Sequence, residues 1–304
     1  MLHVVTRHDV EFSSDDERCA AWFYPPRSGS APAPVVVLGI GLGSIKEMGL
    51  DRYATAFQEH GFAALAFDHR SFGASTGEPR QVIDVARQLD DWRAAIAFAR
   101  TLPGVDPARV VVWGTSFGGG HALTLAAEQP PGVVAAMAQC PFTDGIASAA
   151  VMSPSSALRV GPRALADLVG ARLGRRPIMI PTAGPPHAAA LMTSHDAVPG
   201  FLALVPPEAS GRFVNRAAAR IGLRIMGYRP GRRLRRARVP IFAAVCLHDT
   251  VAPSRTALRQ LRRAPDVEIR TYETGHFAIY QDPWCGPAVA DQLDFLDRRV
   301  PLGG

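Results

Sequence analysis

The residues with the most chemistry in them are Ser116, Asp249 and His276. Ser116 sits in Gly114-Thr115-Ser116-Phe117-Gly118, between the β-branched run RVVVWG and the helix-forming run GGHALTLAAEQ. Glycines two positions to either side permit a tight strand-to-helix turn, which lifts the hydroxyl above the sheet edge beside a helix N-terminus. A hydroxyl is a weak nucleophile until a base takes its proton and a carboxylate orients that base. Downstream, Asp249 closes the run IFAAVCLHD and His276 follows VEIRTYE in the loop TGHF. The order Ser, Asp, His, with the acid after the next-to-last strand, fits nucleophilic acyl chemistry. Competing assignments exist at each position. Ser116 could simply cap a helix in a Gly-rich turn. Asp144, after the strand VVAAMAQC, is a second-choice acid. His248 should face the opposite side of its strand from Asp249, and His121 lies inside the helix after Ser116, as a packed or surface histidine.

These residues converge only if the elements around them form one sheet. LHVVTRHDVEF and RCAAWFYPP, joined by the polar SSDDE, read as an antiparallel hairpin. After the flexible RSGSAPAP, the continuous apolar run VVVLG has the character of a strand buried on both faces. Helical GLDRYATAFQEHG then precedes strand FAALAFD, VARQLDDWRAAIAFARTL precedes RVVVWG, and GGHALTLAAEQ precedes VVAAMAQC. Successive helix and strand pairs predict a parallel sheet with right-handed crossovers, an α/β fold. The rhythm stops between 143 and 238, where SSALRVGPRALADLVGARLG and GRFVNRAAARIGLRIMGY predict helices, and it resumes with VPIFAAVCLHD, SRTALRQLRRA, VEIRTYE and GPAVADQLDFLDRR. In such sheets the loops after the strands share one edge, the edge where ligands bind. Segment 143–238 is too long for a bare connection and predicts a packed lid over that edge.

Composition narrows the function classes. The chain has 304 residues, 47% of them hydrophobic, which suits one large domain. Its +6 formal charge comes from scattered arginines; Lys46 is the single lysine. The dense run RPGRRLRRARVP, 229–240, reads as a solvated approach to the next strand, and no aromatics interleave with it as nucleic-acid binding would require. Cys19, Cys140, Cys246 and Cys285 lie in no metal or framework spacing, so buried free thiols and a cytoplasmic location are expected. No apolar run approaches the ~20 residues of a membrane span. GIGLGS lacks the spacing and acidic partner of a dinucleotide site. No cofactor, metal or nucleic-acid partner is expected.

Taken together, VVVLGIGLGSIKEM, FDHRSFGASTGEPR, VVVWGTSFGGGHAL, VCLHDTVAP and ETGHF resemble the α/β-hydrolase superfamily. The resemblance is nearest to its bacterial serine-hydrolase branch of dienelactone-hydrolase-like and serine-aminopeptidase-like esterases, with thioesterase-like and acyl-transferring enzymes of polyketide metabolism also similar. It implies a mostly parallel eight-stranded sheet with helices on both faces, a core of 1–142 and 239–304, an inserted helical lid of 143–238, and a triad of Ser116, Asp249 and His276. It also implies an oxyanion hole from the backbone N–H groups of Phe117 and Leu42. The family's usual histidine before that loop glycine is here Ile40, so Lys46 and Glu47 either brace the loop or form a surface ion pair. Asp68 and the neighbouring glycines match a loop-ordering segment in which Ser71 replaces the first glycine. His69 and Arg70 either order that loop or touch a substrate carboxylate. Among the apolar residues of the insert, Met152, Met179, Met192 and Phe201 are expected to bind substrate.

The activity implied is hydrolysis of small-molecule carboxylic esters or thioesters of medium or large hydrophobic acyl groups, through an acyl-enzyme on Ser116. An acyltransferase or chain-releasing thioesterase acting on a carrier-bound acyl chain would use the same residues. A non-catalytic ligand-binding module would not need all three. Serine at the elbow disfavours epoxide hydrolase and dehalogenase chemistry, which needs a carboxylate there.

Overall fold

The short apolar runs become strands of one sheet, and the period of two along each strand explains where the cores lie. The structure is a computed structural model describing residues 6–27 and 32–302. Strands β1 (His8–Ser14) and β2 (Glu17–Tyr24) form the antiparallel hairpin, followed by β3 (Ala33–Gly39), β4 (Ala63–Phe67), β5 (Val105–Thr115) and β6 (Val133–Gln139). After the insert come β9 (Ile241–Cys246) and β10 (Val267–Tyr272). The eight strands lie in the order β1-β2-β4-β3-β5-β6-β9-β10, with every pairing from β4 to β10 parallel. Residues 2–5 of the first expected strand and residues 28–31 of the expected linker lie outside the described residues.

β3 shows the layering. Val35 and Val37 point into a core with Phe67 and Trp92, while Val36 and Leu38 point into another with Tyr53, Trp113 and Phe295. All seven residues of β3 are buried, as a strand covered on both faces must be. The covering helices are α1 (Leu50–Glu59), α2 (Val85–Ala99), α3 (Phe117–Glu128), α8 (Ser254–Leu261) and α9 (Cys285–Arg299). A third apolar cluster, including Leu42, Phe117, Phe142, Met192 and Phe277, joins segment 143–238 to loops that follow the strands.

That segment is less helical than the sequence suggests. It contains α4 (Gly145–Ala150), α5 (Pro154–Arg172), α6 (Ala197–Leu202) and the short α7 (Ile221–Arg224). The helix expected over 211–228 is broken. Ala217–Ala218 instead form strand β8, paired antiparallel with β7 (Met179–Ile180). The Asn215 side chain bonds both the N–H and the carbonyl of Ala183, which holds the chain extended just before β8. Because the partner is 32 residues away, this is a tertiary contact that overrides the local helical spacing. The arginine-rich run before β9 is a 3₁₀ helix, Pro230–Arg236, anchored by buried Leu234 with its arginines outside.

Candidate active site

The turn from β5 into α3 is built around contacts that no side chain could share. A Cβ on Gly114 would lie 2.0 Å from the Gly118 carbonyl oxygen, and one on Gly118 would lie 2.5 Å from that of Ile40. Between them Ser116 adopts φ 55°, ψ −118°, a strained conformation for a residue with a side chain. It is held by Ser116 N–H donating to Gln139 at 2.8 Å and by Phe142 N–H donating to the Ser116 carbonyl at 2.9 Å.

The loops after β9 and β10 bring the distant partners to this turn. The Ser116 hydroxyl lies 2.9 Å from His276 Nε2, and His276 Nδ1 lies 2.7 Å from Asp249 Oδ2. The other Asp249 oxygen accepts the N–H groups of Val251 and Ala252 at 2.8 and 2.6 Å. In the neutral imidazole the proton sits on Nδ1, facing the Asp249 carboxylate, which leaves Nε2 as the acceptor facing Ser116. Burial alone lowers the affinity of His276 for a proton, but the charge of Asp249, aided by nearby Cys140, outweighs it and lifts the pKa to about 9.

Cys140, which has no metal-ligand spacing in the sequence, offers its sulfur within 4.8 Å of donor atoms on Asp249 and His276. This is the one such three-ligand group among the described residues. Both His276 nitrogens are engaged by Asp249 and Ser116, so the imidazole has no free lone pair for a metal.

The other candidates have different partners. Asp144 caps α4 through Ile146 and Ala147 and pairs with Arg229 at 2.8 Å. His248 is exposed and lies 3.0 Å from Glu273. His121 is buried between the Tyr228 hydroxyl and Gln88, at 2.8 and 3.1 Å, and burial holds its pKa well below the usual histidine range. Lys46 and Glu47 are buried rather than a surface pair. Lys46 lies 2.6 Å from Asp68 and 3.5 Å from Glu47, with both partners in the loop region beside the site. Asp68 also accepts the N–H groups of Lys46 and Ala74, which orders two loops at once. Arg70 is directed at Asp91, Asp15 and Ser14, and His69 at Asp91. Arg70 thereby ties its loop to both α2 and the hairpin, and His69 ties it to α2.

Ser116 opens into a cleft of about 750 Å³, counted with its open mouth. Leu42 and Phe117 line it, as do Phe142, Val151, Met152, Leu191, Met192, Ile225 and Val251, with Ser148, Thr193, Ser194 and Thr250 as polar points. Phe117 is the first residue of α3, so its N–H has no carbonyl within the helix to bond. Gly41, next to Leu42, is close enough that a Cβ there would lie 3.1 Å from Ser116 Cβ. Ile40, in the family's histidine position, is buried in the core with Tyr53 and Trp113.

Of the four residues expected to bind substrate, Met152 and Met192 line the cleft; Met179 and Phe201 do not. Met179 lies in β7, whose backbone pairs with β8. Phe201 is buried against Phe213 and Phe277, at ring distances of 5.6 and 6.3 Å. Apolar patterning marks both pairs as buried but cannot distinguish a side chain facing a cleft from one packing behind it. The lining residues Phe142, Leu191 and Ile225 carry no stronger signal in sequence, because strand ends and loops placed them there.

The model for the serine aminopeptidase family, S33, matches residues 31–283. A quorum-quenching protein, AidA of Acinetobacter baumannii (strain MDR-ZJ06), is 46% identical over 294 residues, covering 97% of this chain and 95% of its own. The thiohydrolase aneE of Aspergillus aculeatus is 38% identical over 98 residues, about a third of each chain (32% and 31%). The crystal structure of the α/β hydrolase GrgF from Penicillium sp. sh18 superposes with a TM-score of 0.79 at 25% identity, covering 97% of this chain and 99% of that one. With the family model spanning most of its length, this chain belongs to the serine aminopeptidase (S33) family of α/β hydrolases.

Proposed function

We propose that the protein is a serine hydrolase that cleaves carboxylic esters or thioesters of hydrophobic acyl groups. The observation that carries this reading is the continuous hydrogen-bonded line from Ser116 through His276 to Asp249, ending in an apolar cleft. In the first half-reaction His276 Nε2 takes the Ser116 proton as Oγ bonds to the substrate carbonyl carbon. The oxyanion that forms is held by the N–H groups of Leu42 and Phe117. Collapse breaks the ester or thioester bond, and Nε2–H gives its proton to the departing oxygen or sulfur. Water then attacks the acyl-enzyme with His276 as base, releasing the acid and restoring Ser116. Segment 143–238 acts as a lid that supplies Met152, Leu191, Met192 and Ile225 to the acyl site.

The name of AidA, a quorum-quenching protein, fits removal of a signal molecule, and we extend that to a diffusible ester substrate here. A second reading, acyl transfer on the same residues, draws support from the 33% identity over 159 residues with a protein named polyketide transferase grgF. Burial of His276, at 1% exposure, would help to shield an acyl-enzyme from water. A cytoplasmic location is supported by the four cysteines being free and buried.

The test is a series of p-nitrophenyl esters from acetate to octanoate, with matched thioesters. Each methylene buried in the cleft should raise kcat/KM by up to about fourfold until the cleft is full, because a buried CH₂ is worth about 0.8 kcal/mol. A best rate with acetate and a steady decline with length would sink the acyl-site reading. Fluorophosphonate should label the native enzyme and not Ser116→Ala. Acylated product formed faster than free acid when an alcohol or amine is added would favour transfer.

A further inference from the structure

Helix α5 is amphipathic in an unusual sense: both of its sides are rich in apolar residues. Ser156, Val160, Ala164, Asp167 and Gly170 face the protein. On the opposite side Leu158, Leu165, Val169 and Leu173 are exposed, at 77, 56, 46 and 65%. Spacings of seven, four and four residues place them on one stripe along the helix. Isolated exposed leucines need no explanation, but a line of four on one helix does. The stripe runs back toward Val151, itself 52% exposed, which lies just before the capping residue Ser153 and lines the Ser116 cleft.

The charges around the stripe indicate what covers it. Arg159, Arg163, Arg172, Arg175 and Arg176 are exposed on α5 and the turn after it. Arg159 and Arg163 reach only the carbonyls of His187 and Arg159, and among the described residues none of the five forms an ion pair with a carboxylate. The helix's one acid, Asp167, is buried against Arg220 at 2.9 Å. A second copy of the chain would be a poor cover. A two-fold interface sets the same patch against itself, which would gather ten guanidinium groups without a carboxylate. An aliphatic stripe flanked by unneutralised arginines is instead complementary to a surface that is apolar inside and anionic at its boundary.

We propose that α5 is an interfacial helix that seats the protein on anionic lipid membranes. The aliphatic stripe enters the acyl boundary, the arginines meet lipid phosphates, and the rim of the cleft at Val151 is brought to the bilayer. Leu158, Leu165, Val169 and Leu173 lie outside the lining of the Ser116 cleft, so the proposal stands whether or not the hydrolytic reading does.

Co-sedimentation of the full-length protein with vesicles tests it. Binding to mixed phosphatidylglycerol–phosphatidylcholine vesicles is expected, at least about tenfold stronger than to phosphatidylcholine alone and weakened by salt. The double variant Leu158→Gln/Leu165→Gln should lower partitioning by roughly a hundredfold, and Arg172→Gln/Arg176→Gln by about fivefold per charge. An unchanged thermal midpoint in both variants certifies the fold without reference to any substrate. No binding to either vesicle, or binding that the leucine substitutions leave intact, would overturn the proposal. So would a concentration-dependent dimer in solution that the leucine variant abolishes, since the stripe would then be a contact between two copies.

Discussion

Replacing Asp249 by Asn keeps the shape of the site and removes its logic. Asp249 uses one oxygen to accept Val251 and Ala252 N–H, at 2.8 and 2.6 Å, and the other to face His276 Nδ1 at 2.7 Å. In Asp249→Asn the two backbone donors claim the single amide oxygen, because an NH₂ in that position would oppose two N–H groups. The amide NH₂ is then turned toward Nδ1. His276 can accept that bond only in the tautomer protonated on Nε2, and this places a hydrogen against the Ser116 hydroxyl where an acceptor is required. We expect kcat/KM for a p-nitrophenyl ester to fall by about 10⁴, equivalent to about 5.5 kcal/mol of transition-state stabilisation. Above pH 9, where His276 carries no charge for Asp249 to stabilise, retention of the two backbone bonds should keep the thermal midpoint near that of the parent. Asp144→Asn is the matched control: it weakens a helix cap and the pair with Arg229, costing about 1 kcal/mol of stability but less than tenfold in rate. A loss below tenfold for Asp249→Asn, or a larger loss for Asp144→Asn, would refute the reasoning and move the acid to the loop after β6.

Further outcomes follow from the same geometry. His276 must be neutral to accept the Ser116 proton, so with its pKa lifted to about 9 kcat/KM measured by pH-stat should climb roughly tenfold per pH unit above neutrality and level off near that value. A plateau already reached by pH 7 would contradict it. The imidazolium of His276 is favoured by folding, and its contribution to stability is full below pH 6.5, the ordinary value, and lost as pH rises through about 9; denaturant midpoints across that window should decline in the same direction. Lys46→Met removes the cation from buried Asp68, at 2.6 Å, and should cost about 3–5 kcal/mol by urea unfolding. It should also lower kcat more than it raises KM, because the loop carrying Leu42 would lose its anchor; unchanged kcat in the folded variant would show that Lys46 braces nothing.

The sequence by itself determined the α/β class, the strand and helix order around β3 to β6, the glycine elbow at Ser116, and the placement of Asp249 and His276 in loops after their strands. Those features follow from local physics: β-branched runs buried on both faces, helical periodicity, and glycines where no Cβ fits. What only the tertiary structure decided is which side chains meet. Asp144 and Asp249 both follow strands, yet one caps α4 and holds Arg229 while the other is satisfied by Val251, Ala252 and His276. Lys46 and Glu47, which the sequence leaves open between a loop brace and a surface pair, are buried, with Asp68 from another loop 2.6 Å from Lys46. In the insert, Met192 faces the cleft while Met179 pairs in a two-stranded ribbon and Phe201 packs on Phe277. Met192 lies outside the helices and strands, and the two-residue β7 and six-residue α6 that carry Met179 and Phe201 are too short for a period to declare a face. Burial is written in residue type, whereas the direction of burial depends on partners far away along the chain.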